Sequence, residues 1–181
     1  MIAAGNAPAA DYAGRVILVV DHRDSFTYNL VQLIERLGRA TEVVASDAAT
    51  AEALVERAPD AVVLSPGPGR PEGAPLFLDL LDRLPVTTPV LGVCLGHQAL
   101  GVAAGAPVVR GEPVHGHASP VFHDGRGIFE GIPVPFDAAR YHSLRVRRED
   151  LPPEIEVTAW TEDDVVMGLA RRDRQIGRAH V

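Results

Sequence analysis

Cysteine is almost missing from this sequence: one thiol, Cys94, in 181 residues. A single cysteine closes no disulfide within the chain, so the fold must be held by packing, and a reducing, cytosolic setting is expected. Aromatic residues are also scarce, at 5% beside 46% hydrophobic residues overall. The core is therefore expected to be aliphatic, built from Ala, Val and Leu, as in a parallel sheet buried under helices. There is no block of basic residues, and the formal net charge is −7. That argues against nucleic acid or an anionic membrane surface as a partner. No apolar run reaches the roughly 18 residues that a membrane span requires. The opening MIAAGNAPAADYAGR lacks the basic start and long apolar stretch of a signal peptide, and Met1 to Gly14 are expected to be a flexible tail. Neither an internal repeat nor a low-complexity segment is visible.

What the chain does contain is an alternation of strand and helix patterns. Arg15 to Val20 is a continuous apolar run, the pattern of a fully buried strand. Asp24 or Ser25 is expected to cap a helix reaching Leu37, with Phe26, Leu30, Leu33, Ile34 and Leu37 on its apolar face and Gly38 ending it. Strands are predicted at Thr41 to Ala45, Ala61 to Leu64 and Val90 to Val93, and helices at Ala49 to Arg57 and Leu76 to Leu84. This order predicts an α/β fold with a doubly wound, mostly parallel sheet flanked by helices. Past Ala106 the pattern changes to short runs: Ala118 to Phe122, Phe136 to Tyr141, Glu156 to Trp160 and Val165 to Arg171. These predict a small antiparallel sheet appended to the parallel one.

Cys94 lies in PVLGVCLGHQALG, where the Val90 to Val93 strand runs into a helix pattern. Gly92-Val93-Cys94-Leu95-Gly96 has the form of a nucleophile elbow, with sulfur in place of a serine hydroxyl. A lone cysteine is ordinarily a small core residue, but flanking glycines serve a strained turn rather than a core strand. Such a turn exposes the thiol and aims it at a helix N-terminus, whose partial positive charge favours thiolate. Two further loops follow predicted parallel strands: DHRDSFTYN after the first and SPGPGRPEG after the third. Sites in open α/β sheets lie outside the carboxyl ends of the strands, so these loops and the elbow are expected to share one edge.

Taken together, DHRDSFTYNLVQ, SPGPGRPEGA, PVLGVCLGHQALG, VHGHAS and RYHSL resemble the class I glutamine amidotransferases, in particular the glutaminase subunits of anthranilate and aminodeoxychorismate synthases. The motifs run in order from near residue 15 to near residue 170. The resemblance implies a glutaminase in which Cys94 attacks the side-chain amide of L-glutamine, forms a thioester and releases ammonia. It implies oxyanion donors at the backbone N–H of Leu95 and of Gly69. Pro66 and Pro68 carry no N–H and stiffen that loop while the glycine amides stay available. It further implies that Gly67, Pro68, Gly69, Gln98, Ser143 and Leu144 hold the α-amino and α-carboxylate groups of glutamine. Gln98, four residues after Cys94, falls on the same face of the helix. No cofactor is implied in this subunit, and the implied partner is a chorismate-binding synthase subunit that receives the ammonia.

His97 follows the elbow but is not assigned as a base. His115 and His117 alternate, yet no third His or Cys stands near them, so no metal site is expected. Similar proteins usually carry Lys where His117 stands, in a loop that faces the synthase.

The family's base and its orienter come from a late motif, Gly-x-Gln-Phe-His-Pro-Glu, which this sequence does not show. Val166 to Arg171 resembles the strand that precedes it; His180 follows Ala179 and is not followed by Pro-Glu. IGRAHV, residues 176–181, is also what the start of a widely used sequencing adapter encodes, so this stretch is expected to be a non-native tail. The amidotransferase domain is expected to span residues 15–175, with little turnover for want of the triad His and Glu. Two rival readings remain at this stage. One is a non-catalytic, partner-binding module of the same fold. The other is a γ-glutamyl peptidase-like cysteine hydrolase.

Overall fold

The computed structural model describes residues 15–172, and the terminal stretches 1–14 and 173–181, including His180 and the IGRAHV segment, lie outside the described residues. Four parallel strands form the first sheet: β1 (Val16–Asp21), β2 (Ala40–Ala45), β3 (Ala61–Leu64) and β4 (Val90–Gly92). Their order is β2-β1-β3-β4. The chain moves one way from β1 to β2 and returns on the other side of β1 for β3, which places a topological switch point between β1 and β3.

Successive residues of a strand face opposite sides, and β1 uses this to build two layers. Leu18 and Val20 point into the larger aliphatic core beneath α2 (Ala51–Val55), α3 (Pro75–Arg83) and α4 (Leu95–Ala103), where they meet Leu54, Leu64, Phe77, Leu80, Leu95 and Ala99. Ile17 and Val19 point the other way, to a smaller cluster with Val31, Leu30, Ile34 and Val63 under α1 (Thr27–Arg36). The expected aliphatic composition is borne out: among the described residues, Phe77 is the one aromatic in the larger core.

The second sheet is antiparallel and contains β5 (Val108–His123), β6 (Phe136–Val146), β7 (Ile155–Thr161) and β8 (Val166–Arg171) in the order β6-β5-β7-β8. The doubly wound parallel sheet with an appended antiparallel sheet is thus the observed architecture. β5 begins ten residues before the predicted Ala118, because Val108 pairs with Val146 and Arg110 with Leu144. The ladder resumes at Val114 opposite His142, so residues 111–113 bulge across from Ser143. This carries the RYHSL segment along β6 instead of leaving its last residues in a loop.

Helix α1 departs from expectation in two ways. Its N-cap is Phe26, with no side-chain cap bond, rather than Asp24 or Ser25. Asp24 is used one step earlier, where its Oδ1 accepts the Phe26 N–H at 2.8 Å. Asp21 Oδ1 takes the Thr27 hydroxyl at 2.6 Å. The expected apolar face is also rotated. Phe26, Leu33 and Leu37 are 59%, 56% and 81% exposed, whereas Val31 is 7% exposed. Only Leu30 and Ile34 of the expected stripe reach the sheet, flanking Val31. Gly38, at φ +78°, ends the helix as predicted. Helix α2 is shorter than its pattern, and Thr50 caps it by accepting the Ala53 N–H at 3.3 Å.

Candidate active site

The loops after β1, β3 and β4 do meet at the carboxyl edge of the parallel sheet. Residue 94 is the first point of interest. Its backbone lies at φ 53°, ψ −104°, between β4 and the first turn of α4. A non-glycine residue with positive φ stores about 1–3 kcal/mol and persists only where its surroundings force it. The two glycines supply that force. A Cβ on Gly92 would stand 2.5 Å from the Gly96 carbonyl carbon and oxygen. One on Gly96 would stand 2.3 Å from the Leu64 carbonyl oxygen at the end of β3. Both are closer than any real Cβ contact, so the turn closes only with glycine at both positions. The Val93 N–H donates to Leu64 O at 2.9 Å and the Gly96 N–H to Ser65 O at 3.2 Å, stitching the elbow onto the end of β3.

The thiol of Cys94 is partly buried. Burial raises its pKa above the ordinary thiol value, the Leu95 backbone N–H favours the thiolate, and the charge of Asp24 opposes it. The net direction is upward, because desolvation outweighs the single N–H. The expectation that the start of α4 would favour thiolate is therefore met in kind by Leu95 but not in balance.

The SPGPG loop crosses beside the elbow. Gly67 is pressed between two neighbours: a Cβ there would lie 2.8 Å from Leu95 Cδ2 and 2.9 Å from the His22 Cβ. Ser65, fully buried at the end of β3, accepts the His22 N–H at 2.9 Å and donates to the Pro66 carbonyl at 2.5 Å. His22 Nδ1 lies 2.8 Å from Ser46 Oγ. The Ser65 bond bridges the ends of β1 and β3 at the switch point, and the Ser46 contact ties the end of β1 to that of β2. Gly69 has φ +87° with open space where a Cβ would stand, so glycine serves conformation there and not crowding. Pro68 and Gly69 are exposed.

Gln98, 6% exposed, is not the solvated residue that a helix glutamine commonly is. Its backbone N–H donates to Cys94 O at 3.0 Å, and its Nε2 reaches Leu144 O at 3.4 Å. That bond brings α4 and β6 together, so Cys94, Gln98 and the Ser143-Leu144 segment form one neighbourhood. Ser143 itself is exposed. His97 is buried in α4. The side chains of His115 and His117 lie outside those described. Among the described residues, no group of three His, Cys, Asp or Glu side chains is placed to hold a metal ion. No helix among them is long and apolar enough to cross a membrane.

The sequence pattern assigns no place in the site to His22, Asp24, Ser65 or Arg70, although all four lie within motifs that it singles out. Their signal was positional: each sits just past a parallel strand, or at the end of the SPGPG loop.

An open parallel sheet that carries a cysteine on a strained strand-to-helix turn, beside a glycine-rich loop, defines an α/β protein of the cysteine-elbow kind. The chain belongs to the glutamine amidotransferase class-I family, whose profile matches residues 18–177. It is 45% identical over 163 residues to an anthranilate synthase component 2 of Azospirillum brasilense, covering 89% of this chain and 83% of that protein. It is 50% identical over 159 residues to an aminodeoxychorismate synthase of Streptomyces griseus, covering 86% of this chain but 22% of that longer protein. Among solved structures, a Thermoplasma acidophilum protein superposes with TM-score 0.79 at 24% identity, covering 90% of this chain and 80% of that one. A glutamine amidotransferase of Thermotoga maritima superposes with TM-score 0.67 at 17% identity, covering 90% and 73%. At those identities the structural likeness supports the fold alone.

Proposed function

We propose that this chain is the glutaminase component of a synthase that aminates chorismate, with Cys94 as its nucleophile. One observation carries the reading: the left-handed backbone of Cys94, held between two glycines that tolerate no side chain. A fold bears such a turn where it must present a nucleophile, and a packing cysteine has no use for it.

The Cys94 thiolate adds to the side-chain amide carbon of L-glutamine, and the carbonyl π pair moves to oxygen. The N–H groups of Leu95 and Gly69 receive that oxyanion. Its collapse expels the nitrogen, which leaves as ammonia after taking a proton, and a γ-glutamyl thioester remains on sulfur. Water then releases glutamate and restores the thiol. Gly67, Pro68, Gln98, Ser143 and Leu144 would orient the α-amino and α-carboxylate groups. Gln98 is already directed towards β6 by its contact with Leu144 O. No step draws on a cofactor. The ammonia would pass to a chorismate-binding synthase subunit, as the names of the relatives support.

The 181 residues contain no Gly-x-Gln-Phe-His-Pro-Glu motif. A polypeptide of these residues alone is therefore proposed to acylate slowly and turn over poorly, for want of that motif's His and Glu. The high thiol pKa supports the same reading. A non-catalytic module is the second reading, and the missing motif is what favours it.

Intact-mass and peptide mass spectrometry after incubation with L-glutamine tests the proposal. The expected product is a γ-glutamyl thioester on Cys94, accompanied by released ammonia and abolished in Cys94→Ser. No adduct at Cys94, at any pH up to that of full thiol ionisation, leaves only the non-catalytic module standing.

A further inference from the structure

The loop that carries Gly69 is held unequally at its two ends. Upstream, Gly67 is packed between His22 and Leu95. Downstream, Gly69 is exposed at φ +87°, with open space where a Cβ would stand and no side chain to fix its peptide planes. The next residue is Arg70. One of its terminal nitrogens donates to the Val108 carbonyl at 2.6 Å, across 38 residues and from one sheet to the other. Its Nε lies 3.4 Å from Glu72 Oε2, which steadies the guanidinium in that direction. Val108 is buried and pairs with Val146 on β6, the strand whose Leu144 carbonyl meets Gln98. Both walls of the Cys94 neighbourhood are thus tied to the same strand pair, one through Gln98 and the other through Arg70.

We infer that Arg70 is a positioning residue, whose bond to the Val108 carbonyl orients the Gly69 peptide to receive the oxyanion formed at Cys94. This rests on the reading of Cys94 as nucleophile and Gly69 as oxyanion donor. An oxyanion donor works only when already aimed at the place where charge develops, and an exposed glycine has no side chain to aim it. The charge-assisted hydrogen bond of the adjacent Arg70 side chain is a restraint that reaches it from the second sheet. The same bond makes the loop answer to β5: displacement of Val108 would move the Gly69 peptide with it.

The test compares two reactions of the same thiol. With the p-nitrophenyl γ-ester of L-glutamate, the thiolate adds to the γ-carbonyl carbon and the π pair moves to oxygen. Collapse expels p-nitrophenolate, which needs no proton to leave, and a thioester remains. With iodoacetamide, the thiolate displaces iodide, and no oxyanion forms. For Arg70→Gln the release of p-nitrophenolate, corrected against Cys94→Ala, is expected to fall about tenfold or more. Iodoacetamide alkylation is expected to stay within about twofold of the original chain. Arg70→Lys keeps one donor long enough to approach the Val108 carbonyl and is expected to recover a large part of the loss. An unchanged ester rate in Arg70→Gln overturns the inference. So does an equal fall in both reactions, which marks a structural role. Should the unsubstituted chain fail to react with the ester while iodoacetamide still alkylates Cys94, the nucleophile reading itself falls and the Arg70 role with it.

Discussion

Gly96 sits directly against Leu64: a Cβ on the glycine would stand 2.3 Å from the Leu64 carbonyl oxygen. Neither side of this contact has room to move. Leu64 is the last residue of β3, fully buried and paired with Val20 of β1. Gly96 donates its N–H to Ser65 O in the same place. The elbow that presents Cys94 and the strand beneath it are therefore one unit.

Gly96→Ala should consequently destabilise the whole parallel sheet and not only the site. The expected loss is about 2–4 kcal/mol, since overpacking against backbone cannot be relieved by a rotamer change. Equilibrium urea unfolding measures it. A loss below about 0.5 kcal/mol would mean that the turn accommodates a side chain and that the elbow is less constrained than described.

Asp24 and Cys94 are coupled through charge. Burial pushes the thiol above its ordinary value and the Asp24 carboxylate adds to that, while the Leu95 N–H works against both. The pH profile of iodoacetamide alkylation should therefore have its midpoint above the usual thiol range. Asp24→Asn keeps an oxygen for the Phe26 N–H but removes the charge, so the midpoint should move down. Alkylation at neutral pH should rise about two- to threefold. The same shift has a consequence for stability. As pH rises, the thiol of the unfolded chain ionises before that of the folded chain. The thiol's contribution to folding is whole below the ordinary value and is lost as pH climbs through the raised one. A midpoint below the ordinary value would contradict the burial of Cys94.

The fold and the outline of the site could be read from the sequence because they rest on local patterns. The β1 run, the Gly38 stop and the glycines around Cys94 each encode their own conformation. What could not be read depends on neighbours distant in sequence. Helix α1 has apolar residues on more than one face, and periodicity does not say which face meets the sheet. The apolar pattern places residues 26, 33 and 37 with Leu30 and Ile34, and the structure turns those three outward in favour of Val31. The Gln98 contact with Leu144 and the Arg70 contact with Val108 span 46 and 38 residues, and no spacing rule reaches that far.

That rotation of α1 makes a direct comparison possible. Val31→Ala removes two buried methyl groups from the smaller core and should cost about 1.5–2.5 kcal/mol. Leu37→Glu, at the most exposed apolar position of the helix, should change stability by about 0.5 kcal/mol or less. Thermal and urea unfolding of the two variants decide between the two orientations. The reverse ranking would turn Leu37 inward and Val31 outward.

Gln98 offers the sharpest separation of binding from reactivity. It is buried, its Nε2 is directed at the Leu144 carbonyl, and its backbone belongs to the first turn after Cys94. Gln98→Met preserves volume and helix propensity but removes the amide, so the fold should survive. The thiol keeps its Leu95 N–H and its elbow, and alkylation by iodoacetamide should be unaltered. A γ-glutamyl substrate, in contrast, loses a polar group proposed to orient its α-substituents and the strand that accompanies them. The concentration of L-glutamate γ-p-nitrophenyl ester giving half the maximal acylation rate should rise about tenfold, the equivalent of one buried hydrogen bond. The maximal rate itself should change little, because the oxyanion donors are untouched. A fall in maximal rate with no change in half-saturation would move Gln98 from holding the substrate to shaping the nucleophile's turn.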